Sequence, residues 1–331
     1  MKVTHIAGTK LSNCVRGARE CWGSHERGGE YHKATDNIND ADMGLLSRLI
    51  NKHRHMSIIR HATFLFSVKK EDIIGTSAFL PLIGSRWTTV TEDSDSYIIS
   101  TNYQAIMEMG IDINDKLSII PQTMHWLVDG DIGTNGVDDS CEWGGEDFGG
   151  DLTVELLDFT DVDQEKYKEH LTYTFRVTNF PRAVLQESSR HVTMMPSVRS
   201  SRYTLKELGK EESFFAVDEE GVGIDFKRAY KYIYPSGDQL VDIASFDALE
   251  RLRELIKIDK KSIDIVKMAL VESYKTNAVF TIQHDGLLNL VNLRTADSAL
   301  IYFRQVVRRI YDKIPEKHKH LYADALHEEE I

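Results

Sequence analysis

The chain has 331 residues, 41% of them apolar, with 52 acidic side chains against 40 lysines and arginines. That profile fits a globular protein with room for one large domain or two ordinary ones, and it excludes a disordered chain. A formal charge of -12 argues against general nucleic-acid binding, which needs a basic stripe to displace counterions from phosphates, but it leaves small anions to a local basic pocket.

In chain order, Gly28-Gly29 reads as a turn, since the strand-to-helix glycine spacing of a dinucleotide fingerprint is missing. Residues 60–68 (RHATFLFSV) and 169–177 (EHLTYTFRV) share His, Thr, Phe and Val at matching positions and alternate with period two. Both are expected to be half-buried strands of one sheet, with 69–168 inserted between them. Within that insert, residues 96–101 predict a strand, Tyr103 to Met109 a short helix, and Trp87, Trp126 and Trp143 core packing. From Asp129 to Asp163 there are 12 acidic residues and no Lys or Arg, enough to account for the whole net charge, so this glycine-rich stretch reads as a solvated surface loop. Pro181 suits the first position of a helix over 182–190, and Pro196 is expected to force the chain out of regular structure. Apolar spacing predicts helices over 241–257 and 296–311 and a strand over 278–282, an α+β pattern without regular βαβ alternation.

No apolar run approaches 18 residues and residues 1–8 lack a signal peptide's core, so a cytoplasmic protein without a membrane partner is expected. Cys14, Cys21 and Cys141, with no Cys-x-x-Cys, agree with a reducing compartment and predict no metal site. His53-Arg54-His55 and His318-Lys319-His320 read as surface histidines, with no third ligand nearby.

The most informative stretch is 190–203, RHVTMMPSVRSSRY, which packs three arginines, one histidine and three serines into a Pro-broken loop. Guanidinium forks and hydroxyls in a loop suit a phosphate, while a basic surface loop pairing with the acidic insert is the competing reading. Arg190-His191-Val192, seven residues, then Ser200-Ser201-Arg202 resemble the signature of the flavin-dependent thymidylate synthases, Arg-His-Arg, seven residues, then Ser-x-Arg. Cys21-Trp22-x-Ser24, residues 52–57 (KHRHMS), Phe180-Pro181-Arg182-Ala183 and residues 289–294 (NLVNLR) resemble the family's other segments.

The resemblance implies an α+β fold with a mixed sheet and packed helices, formed by 1–68 and 169–331, with 69–168 as an inserted acidic subdomain. It implies an enzyme that methylates dUMP to dTMP using FAD, NADPH and methylenetetrahydrofolate, working as a homotetramer and without a cysteine nucleophile. Glu187, Arg190, Ser200, Ser201, Arg202, Lys267 and Arg294 match nucleotide positions, with Arg294 as the group that stabilises charge on the uracil ring and Ser200 as a hydrogen-bond donor. His55, Ser57, Arg190, His191, Gln283 and Asn289 match flavin contacts. Val192 stands where the family has an arginine, Met195 where it has serine, and Gln283-His284-Asp285 where it has Asn-x-Arg. Arg60 occupies the glutamate position of the first strand, which Glu169 supplies from the echo strand. These departures keep two alternatives open: another pyrimidine nucleotide or one-carbon group on the same fold, and a non-catalytic nucleotide-binding homologue.

Overall fold

The two echo segments become strands, as their period-two spacing predicts, but they lie in different sheets. The computed structural model describes residues 3–24, 38–73, 79–110, 112–125, 127, 150–218, 221–258 and 262–328. Its first sheet runs β1 (Val3–Gly8), β2 (Thr63–Lys69), β4 (Ser96–Asn102), β3 (Thr89–Glu92) in spatial order. The second runs β5 (Thr153–Phe159), β6 (Thr172–Pro181), β10 (Lys275–Gln283), β7 (Met194–Val198). A separate hairpin pairs β8 (Phe215–Asp218) with β9 (Gly221–Ile224). The α+β class stands, although every described ladder is antiparallel where a mixed sheet was expected.

Among the described residues the α-helices of six residues or more are α1 (Ser12–Trp22), α2 (Asp40–Ser47), α3 (Tyr103–Glu108), α4 (Ile113–Ile119), α5 (Ala183–Ser188), α6 (Ser201–Leu208), α7 (Gln239–Lys257), α8 (His284–Arg294) and α9 (Ile301–Lys313). The Asp238 carboxylate starts α7 by accepting from the amides of Leu240 and Val241, and Phe246, Leu249 and Leu252 form its buried stripe. In α9, Phe303, Val306, Val307 and Ile310 face inward at helical spacing onto the core of the second sheet. No helix among the described residues is long and apolar enough to cross a membrane.

Both prolines behave differently from expectation. Pro181 closes β6 opposite Lys275, and α5 starts two residues later. Pro196 sits inside β7 opposite Phe280, tolerated because β7 is an edge strand whose outer side needs no ladder hydrogen bond.

The described residues of 69–168 do not form a body separate from the two sheets. β4 is an inner strand of the first sheet and β5 an edge of the second, while Ile99, Tyr103, Ile106 and Ile119 belong to the first sheet's core. The concentrated acidic charge suggested an excursion, but charge reports only solvation, and strand pairing is decided elsewhere. Residues 128–149, with Cys141 and Trp143, and also Trp126 and Gly28-Gly29, lie outside the described residues. Trp87 is buried against Ala105 and Met195, as expected of core packing.

The inner strands are buried on both faces, not one, because the polar face of each meets the other sheet system. Two neutral imidazoles bridge that seam. His61, just before β2, sets Nδ1 2.8 Å from the Thr281 hydroxyl and Nε2 2.8 Å from that of Ser197. His170, just before β6, sets Nδ1 3.0 Å from the Ser100 hydroxyl and Nε2 2.7 Å from that of Thr91. Gly17 lets α1 come this close: a Cβ there would lie 2.8 Å from the His61 ring. Burial pushes the imidazoles down to about 3 for His61 and about 4 for His170. Since an unfolded histidine protonates near pH 6.5, the unfolded state binds the extra protons below that pH. Stability from these groups is therefore complete above about pH 6.5 and is lost as the pH falls toward 4. Melting temperatures followed by circular dichroism should fall over this interval, and His61→Gln and His170→Gln should each flatten the slope; an unchanged slope in both would contradict a neutral seam.

Candidate functional site

Four of the residues singled out from the sequence converge where α5 and the end of α8 meet. Arg294, the last residue of α8, donates from Nε to His191 Nε2 at 2.9 Å and from Nη1 to the Glu187 carboxylate at 2.8 Å. Glu187 also holds Arg190, whose Nη1 lies 3.3 Å away. Phe303 of α9 lies under this group, its ring centroid 5.4 Å from the Arg294 guanidinium and 5.9 Å from the His191 ring, edge-on. Burial and then the Arg294 charge push His191 down to about 4, partly offset by Glu187. His191 is therefore a neutral acceptor at physiological pH, the state that the Arg294 bond requires. Two of the three guanidinium nitrogens are committed, which fixes the plane of the group. Nη2 has no partner among the described residues and is left for a ligand.

A second group gathers at the N-terminus of α6. Asp264 pairs with Arg202 Nε at 2.8 Å and Lys267 Nζ at 3.5 Å, leaving both cations more than a third exposed. Ser200 precedes α6 and Ser201 opens it, and the Ser200 amide donates to the Cys21 carbonyl at the end of α1, 3.0 Å away. Arg199 is no phosphate ligand: it is buried and pairs at 3.2 Å with Glu20, which also takes Arg176 at 2.8 Å. The loop arginines thus pair with Glu187, Glu20 and Asp264, and none of these carboxylates belongs to the acidic stretch 129–163. Burial, then the Glu20 charge, pushes the Cys21 thiol up to about 12, which removes it as a thiolate nucleophile at neutral pH.

The expected flavin contacts divide. His55, Ser57 and Asn289 are exposed, and so is Arg190, whose side chain is 68% accessible. These supply the imidazole, hydroxyl, amide and guanidinium donors that a diphosphate-bearing cofactor needs, and in this respect the residues fit FAD. Gln283 does not: it is buried and its Nε2 donates to the Trp87 carbonyl at 3.0 Å. The strand β3 follows Trp87, and its neighbour Arg86 stacks on that indole, as does Arg60, so the amide is held inside the fold. Val192 and Asp285 are both exposed, so neither departure from the family pattern is a packing replacement. Met195 is different: it fills the small core with Trp87 and Ala105. Of the paired histidines, His53 and His55 are exposed as expected, whereas His318 is buried with Nδ1 2.9 Å from the Tyr173 hydroxyl.

Sequence reasoning missed Asp264, Phe303, Glu20 and His61 as supports of these groups. Asp264 was legible as a carboxylate three residues before Lys267 in a helical turn, and His61 as the histidine shared by the echo segments; nothing local marks Glu20 or Phe303. A cleft of about 1010 Å³ lined by Lys227, Arg228, Lys231, Lys275 and Arg309 was also unforeseen. Four of these five cations are spent internally: Lys275 Nζ donates to the carbonyls of Gly150 and Tyr230, Arg309 to that of Leu152, and Lys231 and Arg228 face Glu211 and Asp225, while Lys227 is exposed.

Residues 156–318 match the family model described as thymidylate synthase complementing protein. The flavin-dependent thymidylate synthase of Campylobacter jejuni (strain RM1221) is 39% identical over 188 residues, 55% of this chain and 86% of that protein. That of Wolinella succinogenes is 38% identical over 179 residues, 54% of this chain and 84% of that protein. A solved Helicobacter pylori thymidylate synthase X with FAD and dUMP is 29% identical, covering 54% of this chain and all of that one, with a TM-score of 0.49.

Glu20 anchors the phosphate-loop candidate from below, so Glu20→Ala should lower stability by about 3–5 kcal/mol, the usual cost of removing one partner from a buried ion pair. Urea denaturation measures this, and a loss under about 1 kcal/mol would show that the pair is dispensable.

Proposed function

This chain belongs to the flavin-dependent thymidylate synthase family, and we propose that it methylates dUMP to dTMP with FAD as cofactor and methylenetetrahydrofolate and NADPH as cosubstrates. The observation that carries the reading is the Arg294 guanidinium held by Glu187 and neutral His191, with one nitrogen uncommitted. A uracil ring that is not activated by a cysteine must gain electrophilicity by polarisation. A fixed cation against a ring oxygen and nitrogen stabilises the charge that develops there, and preorganisation spares the cost of orienting it during reaction. Arg202 and Lys267, shared on Asp264, would take the nucleotide phosphate, with Ser200 and Ser201 donating at the helix start. FAD, when bound, would supply the reducing equivalents for the transferred carbon. Arg190, His55, Ser57 and Asn289 would hold it through exposed donors, while Gln283 remains bonded to Trp87. A homotetramer in the cytoplasm belongs to the same reading.

That committed glutamine amide, with Val192 and Asp285 beside it in sequence or motif, favours a second reading: a nucleotide-binding homologue with weakened flavin affinity. Losing a charge-assisted contact costs about 1.5–3 kcal/mol, roughly ten- to a hundredfold in affinity.

The assay is dTMP formation from dUMP, methylenetetrahydrofolate and NADPH with added FAD. Arg294→Ala should lower kcat by about 10²–10³, as removing a preorganised charge-stabilising donor does, whereas Arg202→Ala should act mainly through KM. Wild-type kinetics for both would exclude this site. Val192→Arg combined with Asp285→Arg should tighten FAD binding by about tenfold or more, read by fluorescence quenching; no FAD binding by either protein would withdraw the flavin assignment.

A further inference from the structure

The two sheets share one plan. Each has its first strand at an edge, then its second, then its last, with the third at the far edge: β1-β2-β4-β3 and β5-β6-β10-β7. The register agrees pair by pair from the Thr63 and Thr172 ends as far as Val68 and Val177. Thr63 faces Asn102 as Thr172 faces Gln283, and Thr91 faces Ile98 as Ser197 faces Val279. The irregularity of the first strand repeats, for β1 slips between His5 and Ala7 opposite Phe66, and β5 between Leu156 and Asp158 opposite Phe175, whereas the slip of β10 between Thr276 and Ala278 has no counterpart in β4. After that slip Thr9 donates to the Thr63 carbonyl at 3.0 Å, and Thr160 to the Thr172 carbonyl at 2.9 Å.

The seam repeats as well, with its ends exchanged. His61 of the first unit reaches a hydroxyl on β7 with Nε2 and one on β10 with Nδ1; His170 of the second reaches β3 with Nε2 and β4 with Nδ1. Since β7 corresponds to β3 and β10 to β4, these are the same contacts made in opposite directions, which only a twofold relation between the units produces. A shared strand order alone is common among antiparallel sheets. A shared bulge and a reciprocal pair of histidine bridges in addition are not explained by sheet packing.

What hangs on the two frameworks is complementary. Between its first two strands the first unit carries residues 9–62 with α1 and α2, where the second has only 160–171. Between its third and last strands the second unit carries 199–274 with α6 and α7, where the first turns tightly through 93–95. Residues 79–88, ahead of β3, hold no Glu or His to match Glu187 and His191, and residues 103–113, after β4, hold no basic residue to match Arg294. The family match, residues 156–318, falls wholly within the second unit. The helix that the second unit lacks is supplied across the seam. Glu20 of α1 pairs with Arg199, the Cys21 carbonyl takes the Ser200 amide, and Gly17 lies against the Ser197 hydroxyl.

We propose that the chain is two copies of one strand framework related by an internal pseudo-twofold axis, and that complementary losses have left one composite nucleotide site where the framework has places for two. The surviving site combines α1 of the first unit with α5, β7, α6 and α8 of the second; its twin has lost both the helix and the charged side chains. The ligand rests on the function proposed above, whereas the duplication does not.

The test uses the full chain, with dUMP as probe. Titration calorimetry should give one dUMP per chain. His61→Ala, beside the motif strand, should weaken dUMP by about fivefold or more, while His170→Ala, beside the lost twin, should change it less than about twofold. Both variants break equivalent bridges, so both should lower a single melting transition by similar amounts, and His61→Gln and His170→Gln serve in the same way if the alanine variants do not fold. Two dUMP per chain, or equal binding losses in the two variants, would overturn the composite site. If wild type binds no dUMP, the functional reading fails and the melts decide the duplication, which two separate transitions or a shift in only one variant would overturn.

Discussion

A histidine with both ring nitrogens bonded to hydroxyls of the opposite sheet is the constraint on which the rest of this molecule depends. An imidazole buried between two sheets must be neutral and fully bonded, because an unpaired ring nitrogen there would lose its water without compensation. His61 satisfies this only if Thr281 and Ser197 stand where β10 and β7 place them, and His170 only with Ser100 and Thr91. The bridges therefore fix how one strand system sits on the other. An apolar seam would tolerate sliding; a set of hydroxyl–imidazole bonds does not.

That placement carries through to the charged groups. Ser197 lies two residues before Arg199, so the His61 bridge and the Glu20–Arg199 pair together pin the strand that leads into Ser200 and Arg202. On the other side, α5 and α8 bring Glu187, His191 and Arg294 into one network in which each group sets the state of the next. Arg294 needs a neutral imidazole to donate to, burial keeps that imidazole neutral, and Glu187 balances the guanidinium charge. Positive charge is thereby oriented without being neutralised by a tight bidentate pair, which leaves a nitrogen for a ligand.

Legibility in the sequence followed the range of the interactions. The strands at 60–68 and 169–177, the helices over 241–257 and near 301–311, and the strand around 278–282 were readable because each rests on a local apolar period. Pro181 and Pro196 were misplaced because whether a proline breaks a strand depends on whether that strand is an edge, which is a property of the sheet. Gln283 resembled a cofactor contact, yet its amide is bonded to Trp87, nearly two hundred positions away, a pairing that no local pattern encodes.

The amino-acid sequence by itself determined the class of fold and the spacing of Arg190, His191, Ser200 and Arg202 in one loop, because these follow from residue type and short-range period, and its resemblance to a known family supplied the candidate role of Arg294. It also contained the echo of the two histidine-bearing segments, but an echo is equally consistent with neighbouring strands of one sheet and with equivalent strands of two. Only the tertiary structure decided between them, because strand partnership is set by which residues meet across long stretches of chain. The same long-range pairing made the strands at 89–92, 96–102 and 153–159 parts of the two sheets where an excursion was expected, and converted Arg199 from a candidate phosphate ligand into the partner of a buried carboxylate.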